Sequence, residues 1–402
     1  MNSNFLKKVS VIGQGYVGFP LAVSAFKAGY TVVGYDISVS LVNAIKSGES
    51  PTFDVSKEQL KELLNSERYL PTTEKNDLRD SEIFVICVPT PLDDQQRPDL
   101  NSLTNAVGLV ARNLKLGDLI IIESTIAPGT TREILLPLIM KTANLEPGDF
   151  KLVYSPERID PLNQTWNLSN TPKLISGLNH ESISGATAFY SKFIANLHVC
   201  DSFEIAETAK LLENTFRLIN ISFINEISIF CRNFNIDINK VIDAAATKPY
   251  GYMPFYPGIG IGGHCIPVDP LYLAEKAQKI GAPTNFIDLA TKVNLEMPKY
   301  FVNLAEEKLV SLKGKRILVI GVSYKPDIAD VRETPVAALI TGLRLKEAEV
   351  FWHDDLVKNW NGEHSISLGN NYDLVILATP HNYLDLSVLG DVPILNTRET
   401  TK

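Results

Sequence analysis

Apolar and polar positions follow two periods along the first part of the chain. Residues 9–12, 31–35, 83–88 and 119–123 are short β-branched runs, and 151–154 is a fifth. Runs this short, apolar at nearly every position, predict strands buried on both faces. Between them, 17–28 and 103–113 carry helical spacing, and Gly29 is suited to end the first helix. Strands alternating with helices predict a parallel sheet covered on both sides. From Glu204 to Asn233 the pattern is helical with no Gly or Pro. At ~1.5 Å per residue that helix would be roughly 45 Å long. This is more than one small domain needs, and it predicts a spine with a dimer surface. Strand-like runs then return at 316–320, 348–352 and 374–377.

Composition narrows the class without naming it. The chain has 402 residues, enough for two or three domains, with 45% hydrophobic and 21% charged residues. The net charge of −8 gives no support to a nucleic-acid partner. Four scattered cysteines, Cys87, Cys200, Cys231 and Cys265, make neither a disulfide framework nor a metal-ligand spacing. They predict reduced thiols and no metal site, with Cys87 in the core of a strand and Cys231 on a helix face. The polar start, 1–8, lacks the apolar stretch of a signal peptide. No apolar run reaches the ~18 residues of a membrane span. A cytoplasmic protein is expected.

The first strand runs into Gly13-Gln14-Gly15-Tyr16-Val17-Gly18, and a helix follows. In that setting Gly13 permits a tight turn, Gly15 close approach of backbone to a pyrophosphate, and Gly18 helix–strand packing. The helix N-terminus offers N–H groups to phosphates. Asp36, at the end of the next strand, can accept from ribose hydroxyls and would repel a 2′-phosphate, so NAD is expected over NADP. The C-terminal strands place Gly321-Val322-Ser323-Tyr324 where the first unit has its fingerprint. That second unit is expected to bind something other than a dinucleotide. The fold class expected is α/β, with two Rossmann-like parallel-sheet domains joined by a long central helix or helical domain. The boundaries are 1–200, 201–300 and 301–402.

Candidate chemistry lies mainly elsewhere. Gly258-Ile259-Gly260-Ile261-Gly262-Gly263 leads to His264-Cys265, with Asp269 four residues on. Such a strap lets a ligand approach the thiol closely. An isolated Cys is otherwise a small buried hydrophobe. His264 could lower the thiol pKa, although adjacent residues of an extended chain point apart. On the long helix, Glu207, Lys210, Asn214 and Arg217 share a face. They form either a solvated charged face or a group in which Lys210 stabilises an oxyanion. Ser155-Pro156-Glu157-Arg158 and Glu123-Ser124-Thr125 sit at strand ends, where α/β sheets place ligands.

Seven segments in order, VIGQGYVG, VPTP, ESTIAPGT, SPER, AKLLENTFR, GGHCIPVDP and YKPDIADVRET, resemble the UDP-glucose/GDP-mannose dehydrogenase family over about 9–397. The resemblance implies an NAD-dependent enzyme that oxidises the C6 hydroxymethyl of a nucleotide sugar to a carboxylate. Cys265 would carry a thiohemiacetal and then a thioester. It implies that Lys210 and Asn214 stabilise the oxyanion, that Asp269 and Thr125 serve water and proton transfer, and that Glu157 lies near the hydrolytic step. It implies NAD contacts from Gly13, Gly15, Tyr16, Val17, Gly18, Asp36, Pro89, Thr90 and Thr125. Substrate contacts are implied for Glu157, Arg158, Lys210, Asn214, Tyr256, Gly262, Lys325 and Arg332. In some members the arginine matching Arg332 reaches across a dimer. An NAD domain, a central helical homodimer domain and a C-terminal nucleotide-sugar domain are implied, with catalysis in the cleft between the terminal domains.

SPER, the uncharged Val268 and the segment 247–258 resemble the UDP-N-acetylglucosamine 6-dehydrogenase branch. Leu162 departs from it, standing where that branch has Gly. UDP-glucose, UDP-N-acetylmannosamine and GDP-mannose are the alternative substrates. A short-chain reductase, suggested by Tyr272-Leu273-Ala274-Glu275-Lys276, and a non-catalytic NAD or nucleotide-sugar sensor are the rival classes.

Overall fold

The computed structural model describes residues 7–399 apart from 53, 161, 162 and 164. The first six residues and Leu162, to which the sequence drew attention, therefore lie outside the described residues. The chain divides into two units, Met1–Leu212 and Glu213–Lys402.

The first unit contains, in order, β1 (Lys8–Ile12), α1 (Gly18–Lys27), β2 (Thr31–Tyr35), α2 (Val39–Lys46), α3 (Lys57–Leu64), β3 (Tyr69–Thr72) and β4 (Ile83–Ile86). It continues with α4 (Asn101–Ala111), β5 (Leu119–Ile122), α5 (Leu136–Ala143), β6 (Lys151–Tyr154), β7 (Lys173–Gly177), α6 (His180–Tyr190) and β8 (Leu197–Val199). The helix α7 (Phe203–Asn233) starts here and continues into the second unit. The eight strands form one sheet in the order β3-β2-β1-β4-β5-β6-β7-β8. All neighbours are parallel except β6 and β7. Its first six strands have the order of a dinucleotide-binding sheet.

Alternate residues of each strand serve opposite faces. Ile83, Val85, Leu119 and Ile121 join one core, and Phe84, Ile86, Ile120 and Ile122 the other. Each such side chain contributes about 1.5–3 kcal/mol by leaving water, which is why the strands read as continuous apolar runs. The run 83–88 stops at Ile86 as a strand, and Cys87, expected in its core, is half-buried just beyond it. The backbone carbonyl of Cys87 lies under Gly13 instead. Cys231 is buried on α7, as its place in the helical pattern predicts.

The second unit adds α8 (Ile238–Ala246), α9 (Asp269–Lys279), α10 (Asn285–Leu309), β9 (Arg316–Ile320), α11 (Val336–Leu345) and β10 (Glu349–His353). The small hairpin β11 (Asn359–Trp360) and β12 (Glu363–His364) follows, then β13 (Leu374–Leu377) and β14 (Ile394–Asn396). The parallel order β10-β9-β13-β14 repeats the central β2-β1-β4-β5 of the first sheet. Among the described residues no helix is long and apolar enough to cross a membrane.

Candidate active site

The three fingerprint glycines have three different surroundings. Gly13 holds φ +91°, and a Cβ there would lie 2.5 Å from the Cys87 carbonyl oxygen. A Cβ on Gly18 would lie 1.9 Å from the Gly13 carbonyl oxygen. A Cβ on Gly15 would meet nothing of the protein within 4 Å. The fold itself therefore demands Gly13 and Gly18, whereas no atom of the chain crowds Gly15. That fits a pyrophosphate approaching the backbone at the start of α1.

Asp36 follows β2 and is half-buried. One carboxylate oxygen accepts from the Gln14 N–H and the other from the Ser38 N–H, each at 2.8 Å. Each oxygen has two lone pairs, so capacity remains for ribose hydroxyls. Gln14, an unmarked x in the fingerprint, is fully buried. Its amide donates to the Val11 carbonyl and accepts from the Tyr69 hydroxyl at 3.0 Å each. Pattern reading gives no sign of this brace, because Tyr69 arrives from β3.

The second unit repeats the device and closes it. Asp354, just after β10, accepts from Val322 N–H at 3.0 Å, as Asp36 does from Gln14. It also accepts from Ser323, Leu356 and Val357, and from His381 Nε2 at 2.9 Å. His381 Nδ1 accepts from the Asp327 N–H, which leaves the proton on Nε2. Burial alone would raise the Asp354 carboxyl; the hydrogen bonds from His381 and the loop outweigh it and hold it below its ordinary value. Asp354 is 1% exposed. Ser323 and Pro326 stand at the positions of Gly15 and Gly18, and no helix opens directly after them. This turn lacks both the bare backbone and the available carboxylate of a dinucleotide site.

Among the other residues implied for NAD, Thr90 donates its hydroxyl to the Thr125 carbonyl at 2.8 Å. This ties the loop after β4, with Pro89, to the loop after β5. Tyr16 is 41% exposed, and Val17 precedes the first residue of α1. Glu157 and Arg158 follow β6. One Glu157 oxygen accepts from the N–H groups of Arg158 and Ile159, each at 2.6 Å, and the Arg158 guanidinium donates to the Pro172 carbonyl.

On α7, Glu207, Lys210 and Asn214 are buried and Arg217 is exposed. The solvated-face reading therefore fails for three of the four. Glu207 accepts from the N–H groups of Gly129 at 2.6 Å and Thr131 at 2.9 Å, holding the loop after Thr125. Asn214, one turn beyond Lys210, donates to Asp269 at 2.6 Å.

In the second unit the glycine strap is held by two asparagines that the sequence does not mark. Asn225 on α7 accepts from Gly258 N–H at 2.9 Å. Asn294 on α10 accepts from Ile261 N–H at 2.6 Å and donates back to its carbonyl at 3.3 Å. A Cβ on Gly262 would lie 2.7 Å from both the Glu333 carbonyl oxygen and the Tyr324 side chain. Gly263, at φ +83°, lies equally close to the Tyr324 ring and donates to the Arg332 carbonyl. The strap thus admits no side chains where it meets the segment 324–333.

Cys265 then emerges exposed, and none of the four cysteines forms a disulfide. Its carbonyl accepts the Asp269 N–H at 2.9 Å, so the thiol sits in the turn that opens α9. His264 is half-buried; burial and then Arg332 push its pKa down. The Arg332 guanidinium is engaged by Asp330, Lys325 is half-buried, and Tyr256 is 54% exposed. Tyr272, of the short-chain-reductase spacing, is wholly buried in α9. The structure joins Asn214 with Asp269, Thr90 with Thr125, and Gly262 with the segment around Arg332. It leaves Tyr256 outside these sets.

Three sequence profiles of one family match the chain in order. They are the NAD binding domain over 7–194, the central domain over 204–296 and the UDP binding domain over 318–394. A UDP-N-acetyl-D-glucosamine 6-dehydrogenase of Pseudomonas aeruginosa is 36% identical over 388 residues, covering 93% of this chain and 90% of that protein. The structure of a UDP-D-ManNAc dehydrogenase from Pyrococcus horikoshii superposes with a TM-score of 0.89 at 30% identity, covering 98% and 96% of the two chains. That of a UDP-glucose dehydrogenase from Pyrobaculum islandicum gives 0.90 at 25% identity, covering 99% and 95%. The bare Gly15 turn with its accepting Asp36, the closed second turn and the exposed thiol on its clamped strap are thus features of a chain that belongs to the UDP-glucose/GDP-mannose dehydrogenase family, NAD-dependent oxidoreductases acting on UDP-sugars.

Proposed function

We propose that the protein oxidises C6 of a UDP-N-acetylhexosamine, UDP-N-acetylglucosamine first, from the alcohol to the carboxylate through covalent intermediates on Cys265. The observation that carries this reading is the exposed Cys265 at the opening of α9, with the Asn214–Asp269 hydrogen bond at the first residue of that helix. A helix N-terminus favours the thiolate. Bound NAD supplies the acceptor for two electrons at each of two oxidations. Gly13, Gly15, Tyr16, Val17, Gly18, Asp36, Pro89, Thr90 and Thr125 are the residues assigned to hold it.

The alcohol loses its hydroxyl proton and, from C6, a hydride carrying two electrons, to give the aldehyde. The Cys265 sulfur adds to that carbon, and the oxyanion formed is stabilised by the Lys210 ammonium and the Asn214 amide. Loss of two further electrons and a proton gives the thioester. Water then attacks the acyl carbon, the C–S bond breaks, and Cys265 returns as the thiol. Asp269, Thr125 and Glu157 are assigned to the protons of these steps. Each acid formed yields two NADH. Glu157, Arg158, Lys210, Asn214, Tyr256, Gly262, Lys325 and Arg332 are assigned to the substrate.

The N-acetylhexosamine is favoured by SPER, by the apolar Val268, which is buried, and by the Pseudomonas relative. The Pyrococcus UDP-D-ManNAc enzyme makes the C2 epimer the second reading. We further assign an NAD domain to 1–200, a helical dimer domain to 201–300, a nucleotide-sugar domain to 301–402, and a cytoplasmic location. Phe216, Phe223 and Phe230 repeat every seven residues along α7 and are 44–60% exposed. Such a stripe supports a homodimer built on α7.

The test is NADH absorbance with UDP-N-acetylglucosamine, UDP-N-acetylmannosamine, UDP-glucose and GDP-mannose, for the native protein and Cys265→Ala. Two NADH per UDP-N-acetylglucosamine from the native protein, and no acid from Cys265→Ala, is expected. Full acid production by Cys265→Ala would end the covalent scheme. Turnover confined to another sugar would overturn the substrate assignment alone.

A further inference from the structure

One buried cation in the first unit is used by none of the steps above. Lys173 opens β7, and its side chain is 5% exposed. Its ammonium lies 2.9 Å from one oxygen of Glu123, 3.8 Å from Glu157 and 3.4 Å from the Pro156 carbonyl. Beneath it is the Tyr190 ring, 5.1 Å from the ring centre. The Glu123 side chain is wholly buried after β5, and its second oxygen accepts from the Tyr190 hydroxyl. An unpaired ammonium in such a place is prohibitive, and the arrangement persists only because carboxylates flank it. Burial alone would push the Lys173 ammonium down; Glu123 and Glu157 outweigh that and leave it raised. Burial pushes the Glu123 carboxyl up, with Lys173 opposing.

Glu157 is the partly exposed member, at 15%. One of its oxygens is taken by two backbone N–H groups of its own loop. The other is the one nearest Lys173. Lys173 also donates to the carbonyl of the preceding residue, so it grips both the carboxylate and the backbone that carries it.

We propose that Lys173 is the positioning residue for Glu157, holding its carboxylate beside the ammonium and turned in one direction, while Glu123 and Tyr190 keep Lys173 in place. This rests on the assignment of Glu157 to the hydrolytic step. The charged and titratable groups facing this cluster are Lys173 from β7, Glu123 after β5, Cys87 after β4, Tyr190 from α6 and Arg158 on the loop of Glu157 itself.

Two variants move Glu157 in opposite directions. Glu123→Gln/Lys173→Met removes one charge of each sign and leaves no buried ion without its partner. The titration of Glu157, followed by carbon NMR of labelled glutamate in the full-length protein, is expected to move to higher pH than in the native protein, because the cation removed lies nearer than the carboxylate removed. The acidic limb of kcat is expected to rise with it, with KM for NAD unchanged. Glu123→Gln alone leaves Glu157 as the one carboxylate on Lys173, and both features should move to lower pH. Lys173→Arg should lie near the native protein.

A folded double variant whose Glu157 titrates at the native pH overturns the proposal. If the double variant does not fold, an unmoved or upward titration in Glu123→Gln overturns it equally. Glu157→Gln identifies the resonance and separates the two ideas. Full turnover by Glu157→Gln would remove Glu157 from the chemistry, while the NMR shift still decides whether Lys173 holds it.

Discussion

The same substitution made three residues apart in the fingerprint should have opposite consequences. In Gly18→Ala the new Cβ falls 1.9 Å from the Gly13 carbonyl oxygen, 3.0 Å from the carbonyl carbon and 3.1 Å from the Cys87 Cβ. Contacts to carbon normally begin near ~3.5 Å, so the overlap exceeds an ångström. The obstacle is backbone at a residue held at φ +91° and cannot swing aside. Overpacking of this kind costs about 1–3 kcal/mol or more, and the helix-propensity gain of Ala over Gly, about 0.8–1.0 kcal/mol in a helix interior, offsets only part of it. In Gly15→Ala the Cβ meets no protein atom within 4 Å. Stability should be unchanged, or up to about 1 kcal/mol higher through the narrower unfolded ensemble. The methyl instead occupies the approach of the pyrophosphate, and a loss of NAD affinity of about tenfold or more is expected, ~1.4 kcal/mol. Urea unfolding of each variant without ligand, beside calorimetric titration with NAD, separates the two effects. Gly15→Ala unfolding at clearly lower urea than the native protein, or binding NAD with native affinity, would refute the division of roles.

Two further outcomes follow from the second unit. Asn294→Ala removes both bonds to Ile261 and leaves a partly buried N–H without its acceptor, costing about 1–3 kcal/mol. It should lower kcat while NAD affinity stays native, and a native kcat with native urea stability would show that the strap holds itself. Asp354 has a carboxyl held below its ordinary value, so its contribution to stability is complete above the unfolded value, ~3.9, and is lost as pH falls through the lower folded value. Urea midpoints measured from pH 6 to pH 3 should therefore fall less steeply in Asp354→Asn than in the native protein, and parallel slopes would contradict this.

The local pattern already carried much of the fold. The runs at Thr31–Tyr35, Arg316–Ile320 and Leu374–Leu377 are strands with those bounds, and the Gly-free run beginning at Glu204 is α7 to its last residue. These elements were legible because burial on two faces or one stripe leaves a period in the sequence itself. The motif residues Gly13, Gly18 and Cys265 were legible because each stands in a local setting that other residue types could not occupy, or is the one thiol on a glycine strap. Gln14, Asn225 and Asn294 were not, since an amide in a helix or turn looks the same whether it faces water or a distant backbone.

By itself the sequence determined the two parallel-sheet units, the glycine fingerprint of the NAD domain, the long helix and the glycine strap that carries Cys265, because all of these are set by neighbours within a few residues. Only the tertiary structure decided that Asp36 remains available where Asp354 is saturated, that Glu207 braces a loop rather than meeting water, and that Lys173 lies buried between two carboxylates. Those outcomes depend on partners such as His381, Gly129 and Glu123, tens of residues away along the chain. A charge or amide acquires its role from the dielectric and the hydrogen-bond partners that folding brings to it, and local spacing encodes neither.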